Sequence, residues 1–329
     1  MNLIPTHNPL LPFIKDNWQG NLLNEKQQYI NLDGPSERTF KELFKWQVEK
    51  NQLKPLKKQQ QPNVDVVQSR FITQNRDNGF VWLGHASYLF TLEGKHFLID
   101  PVLYNVGPLK RFTALPCEVA ELKHIDYILL SHNHRDHADK KSMQQICALN
   151  PSAIILTGLN ISSLLRSWKI TNPIIEAGWY QQYRLDTDVQ VTYLPAKHWS
   201  RRGLTDINNM LWGSFMLQSK TRTIYFGADS GLGKHFEEIG RMFPGIDYAM
   251  LGIGAYKPEW FMGTAHTSPA DALIALQQIG AKNLVPMHFG TFDLGDEPLF
   301  YPKQELIQLQ GQQNINAVLH LSIGPKHLF

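Results

Sequence analysis

The sequence predicts an α/β protein built from two packed sheets with helices on their outer faces. Three observations carry this: apolar runs of strand length, turn residues pairing the first of those runs into hairpins, and helical segments alternating with the later ones. At 329 residues the chain can form one large domain or two modest ones. Its 43% hydrophobic and 19% charged residues suit a soluble globular protein. A net charge of +3 without a dense Lys/Arg stripe gives no sign of a nucleic-acid partner. Cys117 and Cys147 are the two cysteines, too few for a disulfide framework, which favours a reduced compartment.

Residues 1–78 differ in texture from the rest and read as an N-terminal extension packing on a main domain of residues 79–329. The apolar start is broken by Pro5, Pro9 and Pro12 and lacks a basic n-region, so no secretory leader is expected. No apolar run reaches the roughly 18 residues of a spanning helix. A cytoplasmic location is the expectation, with peripheral contact to a membrane as the alternative. Phe40, Leu43, Phe44 and Val48 recur at helical spacing and predict a helix over 36–50. "KPLKKQQQPN" (54–63) reads as a solvated linker.

From Phe80 the texture becomes strand-like. "FVWLGHASYLFTL" (80–92) and "KHFLIDPVL" (95–103) read as two strands joined by a turn at Glu93 and Gly94. A helix over 140–149 and a strand in "AIILTG" (153–158) follow. "VQVTYLPAKH" (189–198) is a strand, and "SFMLQSKTRTIYFGAD" (214–229) is a hairpin turning near Ser219 and Lys220. "IDYAMLGIG" (246–254) reads as a buried strand. "SPADALIALQQIG" (268–280) carries helix signals in order: Ser268, Pro269, Asp271 three residues after Ser268, and a closing Gly280. "KNLVPMHFG" (282–290) is the next strand.

The chemistry concentrates in "SHNHRDHAD" (131–139), which leaves the apolar run 125–130. His132, His134, Asp136 and His137 stand close enough in one loop to converge on metal without help from distant chain. Imidazole and carboxylate ligands suit Zn, and also Fe or Mn. Two cations would share these four ligands more comfortably than one; a polar loop with coincidental histidines is the plain alternative. His198, Asp229 and His288 each end an apolar run, where a sheet edge would present them to a shared site. Together these make five histidines and two aspartates, a full ligand set for two metals.

This ordered pattern resembles the metallo-β-lactamase superfamily and, within it, the N-acyl-phosphatidylethanolamine-hydrolysing phospholipase D family and its bacterial relatives. The narrower likeness rests on "WLGHAS" (82–87), "GPLKRF" (107–112), "LSHNHRDHAD" (130–139), "HWSRR" (198–202), "LWGSF" (211–215), "FGADSG" (226–231), "FEEIG" (236–240), "IGAYKPEWFM" (253–262) and "HFGTF" (288–292). The resemblance implies an αββα sandwich of two mixed sheets, with the site at one edge between them. It implies that His132, His134 and His198 hold a first zinc, that Asp136, His137 and His288 hold a second, and that Asp229 bridges the two. It also implies a phosphodiester substrate, a phospholipid cleaved to phosphatidic acid and a free head group. Since the family has a histidine by the site in the segment of His266, the catalytic candidates are Asp136, Asp229 and His266.

Other residues are weighed beside these. His85 reads as structural or ligand-supporting rather than as a ligand, and His235 as surface. Tyr256 and Trp260 are candidates for a substrate groove or for packing. Lys197, Arg201 and Arg202 flank His198 and read as solvent-facing, with attraction of a phosphate as the alternative. Trp18 and the apolar N-terminus are expected to pack across the catalytic sheets; covering an acyl groove or touching a bilayer is the alternative. Expected partners are therefore a phospholipid or other small phosphodiester and no nucleic acid. The rival readings of function are a lactonase or other carboxylic-ester metallohydrolase, and a metal-binding protein without catalysis.

Overall fold

Alternation along the strands decides how the molecule is layered. In the strand Gly79–Gly84, Phe80 and Trp82 enter one apolar cluster while Val81 and Leu83 enter another on the opposite face. Tyr127–Leu130 divides in the same way, Tyr127 and Leu129 from Ile128 and Leu130. A sheet that is apolar on both faces has to be covered on both. Here a second sheet packs on one face and helices on the other. The computed structural model describes residues 4–58, 64–70, 72–313, 315 and 317–329, so residues 59–63 of the expected linker lie outside the described residues.

The first main sheet orders its seven strands Lys326–Leu328, Gly79–Gly84, Ser87–Leu92, Lys95–Ile99, Tyr127–Leu130, Ile154–Gly158 and Ile174–Ala177. The second orders six: Asn283–Met287, Tyr248–Gly252, Thr223–Phe226, Ser214–Gln218, Gln190–Leu194 and Gln181–Gln182. Both sheets are mixed. Strands joined by short turns pair antiparallel, as in Ser87–Leu92 with Lys95–Ile99. Strands joined through helices pair parallel, as in Tyr127–Leu130 with Ile154–Gly158. Lys140–Leu149 and Ile161–Ser167 cover the first sheet through Met143, Ile146, Ile161 and Leu165. His235–Met242 and Pro269–Ile279 cover the second through Phe236, Ile239, Ala272 and Leu276. The order is helix, sheet, sheet, helix.

Several elements follow the sequence reading closely. In Pro269–Ile279 the Ser268 hydroxyl accepts from the Asp271 amide, the Asp271 carboxylate accepts from the Ser268 amide, and Gly280 ends the helix at φ 67°. Others differ. Residues 80–92 are two strands, because Gly84 (φ 102°) and His85 (φ 53°) reverse the chain before Ser87–Leu92. The expected helix over 36–50 is the shorter Phe40–Val48, its start fixed by a capping box between Thr39 and Glu42. Within the expected linker, Lys54–Lys57 forms a helical turn and Lys57 pairs with Asp293 at 2.6 Å.

Side chains also depart from expectation. His235 is buried, its Nε2 facing Ser230 Oγ at 3.1 Å and its ring against Phe236, so it is not a surface residue. Arg202 turns inward and donates to the carbonyls of Asn133 and Ala138 at 2.8 and 2.7 Å, with its guanidinium over Trp168. Tyr256 is fully buried and bonds Glu305, whereas Trp260 stays partly exposed beside Lys45. Trp18 packs edge-on against Tyr180 at 4.9 Å, and Leu11 and Tyr29 join the main core. No helix among the described residues is long and apolar enough to cross a membrane.

Candidate metal centre

Strand ends deliver the site. His85 sits in the turn after Gly79–Gly84, Asp100 follows Lys95–Ile99, and the loop 131–139 follows Tyr127–Leu130. His198, Asp229 and His288 lie beyond Gln190–Leu194, Thr223–Phe226 and Asn283–Met287. Open α/β sheets place ligand sites at such carboxyl ends. Turning each strand into the site bends its backbone: His85, Asp100, Ala228, Ala255 and His288 hold φ between 41° and 62°. That left-handed region costs a non-glycine residue about 1–2 kcal/mol, so the surrounding packing has to hold it.

Two groups of donor atoms result. In the first, His132 Nε2 and His198 Nε2 each lie 3.0 Å from His134 Nδ1. Asp229 Oδ2 is 3.9 Å from His132 Nε2 and 3.8 Å from His198 Nε2. In the second, Asp136 Oδ2 is 3.3 Å from His288 Nε2 and 3.7 Å from His137 Nε2. Asp229 closes that group too, at 3.1 Å from His288 Nε2 and 3.2 Å from His137 Nε2. The seven side chains expected to meet are thus together, with Asp229 between the groups.

The donors fit divalent cations. Four ligands around a zinc at about 2.0–2.1 Å leave ligand atoms about 3.3 Å from one another, within the 3.0 to 3.9 Å range of the two groups. Hydrogen bonds set the tautomers of the first group. Ser131 Oγ donates to Asp100 Oδ2 and so accepts from His132 Nδ1 at 2.9 Å; His198 Nδ1 donates to the Ala265 carbonyl at 3.0 Å. Both Nε2 lone pairs then face His134 Nδ1, and a single proton there can satisfy only one of them. In the second group His137 Nδ1 donates to Asp100 Oδ2 at 2.8 Å. His137 Nε2, His288 Nε2 and Asp229 Oδ1 are buried without hydrogen-bond partners among the described residues. Such atoms are costly unless an ion engages them.

The two groups differ in charge. Burial, helped by the neighbouring histidines, holds His132 and His198 well below the usual imidazole range, and burial takes His134 to about 4. These rings are neutral near neutral pH. Burial also opposes charge on His137 and His288, but the Asp229 and Asp136 carboxylates outweigh it, lifting His137 well above its ordinary value and His288 to about 9. Both therefore carry a proton at neutral pH when no ion is bound.

His266 lies at the edge of the centre, its Nδ1 3.8 Å from Asp229 Oδ2, and burial lowers it to about 4. Two residues matter more than the sequence reading gave them. Asp100 is fully buried and accepts from Ser131 N, Ser131 Oγ and His137 Nδ1, so one carboxylate steadies both groups. It ends the run "HFLID", the same signal that singled out Asp229. His85 Nε2 stands 3.2 Å from Asp136 Oδ2, within the second group itself.

Above these donors opens a cavity of about 750 Å³. His134, Asp136, Asp229, His266 and His288 contribute to its floor, and its apolar wall includes Leu43, Trp46, Leu204, Phe261 and Met262. Arg38, Arg135 and Arg201 also line it, and none of the three has an ion-pair partner among the described residues. Trp18 is not part of it. The N-terminal contribution comes instead from Phe40–Val48, whose Trp46 stacks on Phe261 at 4.8 Å.

Residues 95–289 match the family model described as the beta-lactamase superfamily domain. The chain belongs to the metallo-β-lactamase superfamily. Within that superfamily it is 31% identical over 244 residues to N-acyl-phosphatidylethanolamine-hydrolyzing phospholipase D 1 of Caenorhabditis elegans, covering 69% of this chain and 68% of that protein. It is 29% identical to a metal-dependent hydrolase of Caldivirga maquilingensis, covering 64% of this chain and 82% of that protein. In fold it is similar to the isothiocyanate hydrolase from Delia radicum gut bacteria, with TM-score 0.64 and 20% identity over 76% of this chain and 98% of the other. As a superfamily member the chain is a metal-dependent hydrolase of β-lactamase fold, with His/Asp clusters able to hold metal.

Proposed function

We propose that the chain is a two-metal phosphodiesterase acting on a phospholipid-type substrate, as the name of its Caenorhabditis elegans relative describes for that protein. The observation that carries this is the cavity: apolar walls and three arginines with no ion-pair partner among the described residues stand over a floor of paired metal donors. An acyl chain suits such walls, and guanidinium groups suit a phosphate.

His132, His134 and His198 would hold one zinc, Asp136, His137 and His288 the other, and Asp229 would be shared. A bound pair of divalent cations supplies a deprotonated water near neutral pH and polarises a phosphoryl oxygen. The chain's residues do the rest. Asp229 fixes the spacing of the two groups, and Asp100 keeps the ring of His137 turned toward them. His266, neutral at neutral pH, offers one N–H to a phosphate oxygen or a leaving oxygen over the floor. The apolar walls keep bulk water away from the reacting bond.

The same face suits a bilayer. Phe40, Phe44 and Val48, at i, i+4 and i+8 of one helix, are 83%, 58% and 66% exposed beside the cavity, with Lys41 and Lys45 between them. An apolar stripe with basic neighbours is the composition of an interfacial helix. The test is turnover by zinc-loaded protein on an N-acylated ethanolamine phospholipid, an aryl phosphodiester, a lactone and a β-lactam. Hydrolysis of the two phosphodiesters is expected. Hydrolysis of the lactone alone would replace this reading with a carboxylic-ester hydrolase, and two bound metals without turnover would replace it with a binding protein.

A further inference from the structure

His85 occupies an unusual position. It is fully buried, its backbone is left-handed at φ 53°, and every polar backbone atom it has is engaged. Its amide donates to Thr291 Oγ1 at 2.9 Å, and its carbonyl accepts from Trp82 Nε1 at 2.9 Å and from the His288 amide at 3.2 Å. Phe292 meets its ring edge-on and His288 lies against it at 4.1 Å. The fold therefore fixes this ring in place, with Nε2 aimed at Asp136 Oδ2 at 3.2 Å.

The tautomer follows from the other nitrogen. His85 Nδ1 is buried with no hydrogen-bond partner among the described residues. A proton placed there would be an unpaired buried donor, costing about 1–3 kcal/mol. Placed on Nε2 it meets a carboxylate in a charge-assisted bond. With its proton on Nε2, His85 supports the Asp136 carboxylate rather than offering a lone pair of its own, although its nitrogen lies among the second group.

We propose that His85 is a positioning residue for the second metal group: its Nε2–H holds Asp136 Oδ2 and so fixes how the Asp136 carboxylate turns toward the cation. This rests on Asp136 serving as a ligand, as set out above. The ring is the donor, the strained turn aims it, and the bond removes a rotation that a free aspartate keeps.

The experiment measures zinc content and the stepwise affinity of both ions by chelator competition in wild type, His85→Asn and His85→Gln. Asparagine accepts the left-handed backbone but is too short to reach Asp136, while glutamine sets an amide N–H near the Nε2 position. His85→Asn is expected to lose about 10–100-fold in affinity for one ion and to keep the other, the usual scale for losing an outer partner of a ligand. His85→Gln is expected to recover most of that loss. Unchanged affinities in His85→Asn overturn the proposal, as does a His85→Gln loss equal to that of His85→Asn, which would make the ring itself a ligand. If His85→Asn fails to fold, His85→Gln decides alone: a loss beyond about tenfold overturns the proposal, and a smaller one upholds it. Wild type binding fewer than two ions would remove the two-metal reading and this proposal together; any other failure removes this proposal only.

Discussion

The two halves of the metal centre are built from similar donors and poised differently. The first, around His132, His134 and His198, presents imidazoles that burial keeps neutral. The second, around Asp136, His137 and His288, sets two histidines against two carboxylates, and those histidines hold protons until something displaces them. The difference teaches that a shared carboxylate does not make two donor groups alike. Proton competition should make the first half load at lower metal and lower pH than the second.

The strongest way to break this comparison is through Asp229, which serves both halves. Asp229→Asn should cost about 10³-fold or more in kcat and leave fewer than two ions per chain by elemental analysis. Two retained ions with near-normal turnover would refute its shared role. Next in size is pH. Because His137 and His288 bind protons more tightly in the folded protein than in the unfolded one, an ion entering the second half has to release them. Its affinity should therefore rise with pH, about tenfold per unit for the proton on His288 up to about 9, with a further contribution in the same direction from His137. The first ion should show a much flatter profile in the same calorimetric titration. The linkage for the metal-free fold runs the other way: the stabilisation from a raised His288 is full below its ordinary 6.5 and lost as pH climbs through about 9.

Asp100 blurs the two halves, since it holds His137 directly and His132 through Ser131. Asp100→Asn should weaken the second ion about 10–100-fold and the first by less, read by chelator competition. Equal affinity to wild type at both would mean that the carboxylate orients neither ring. The smallest effect lies outside the centre. Replacing Phe40 and Phe44 together by Ser should lower turnover of vesicle-borne phospholipid about tenfold through lost apolar burial, and leave a soluble aryl phosphodiester unchanged. A parallel fall on both substrates would place those rings in catalysis or folding instead.

Much of this was legible in the sequence for a physical reason. Candidate ligands that end apolar runs stand out once a histidine cluster is present for them to join; His198, Asp229 and His288 were found that way. The helices 140–149 and 268–280 were legible because their caps are local chemistry. His85 was harder, since the turn that carries it is itself buried and reads as strand. Asp100 was overlooked though it ends an apolar run like Asp229. The helix Phe40–Val48 shows another limit: spacing tells which side chains share a face, not what that face meets. His235 was misread because only the tertiary contacts with Ser230 and Phe236 bury it.

The left-handed residues at the strand ends have a further consequence. His85, Asp100, Ala228 and His288 are held in their bends by the core and by hydrogen bonds within the chain. The bends that aim these side chains are thus set by the chain itself. Chelation should strip bound metal and resupply should restore it without a refolding step. Which cation resides there then follows from supply and from ligand preference, the order in which a cell's metals compete for nitrogen and oxygen.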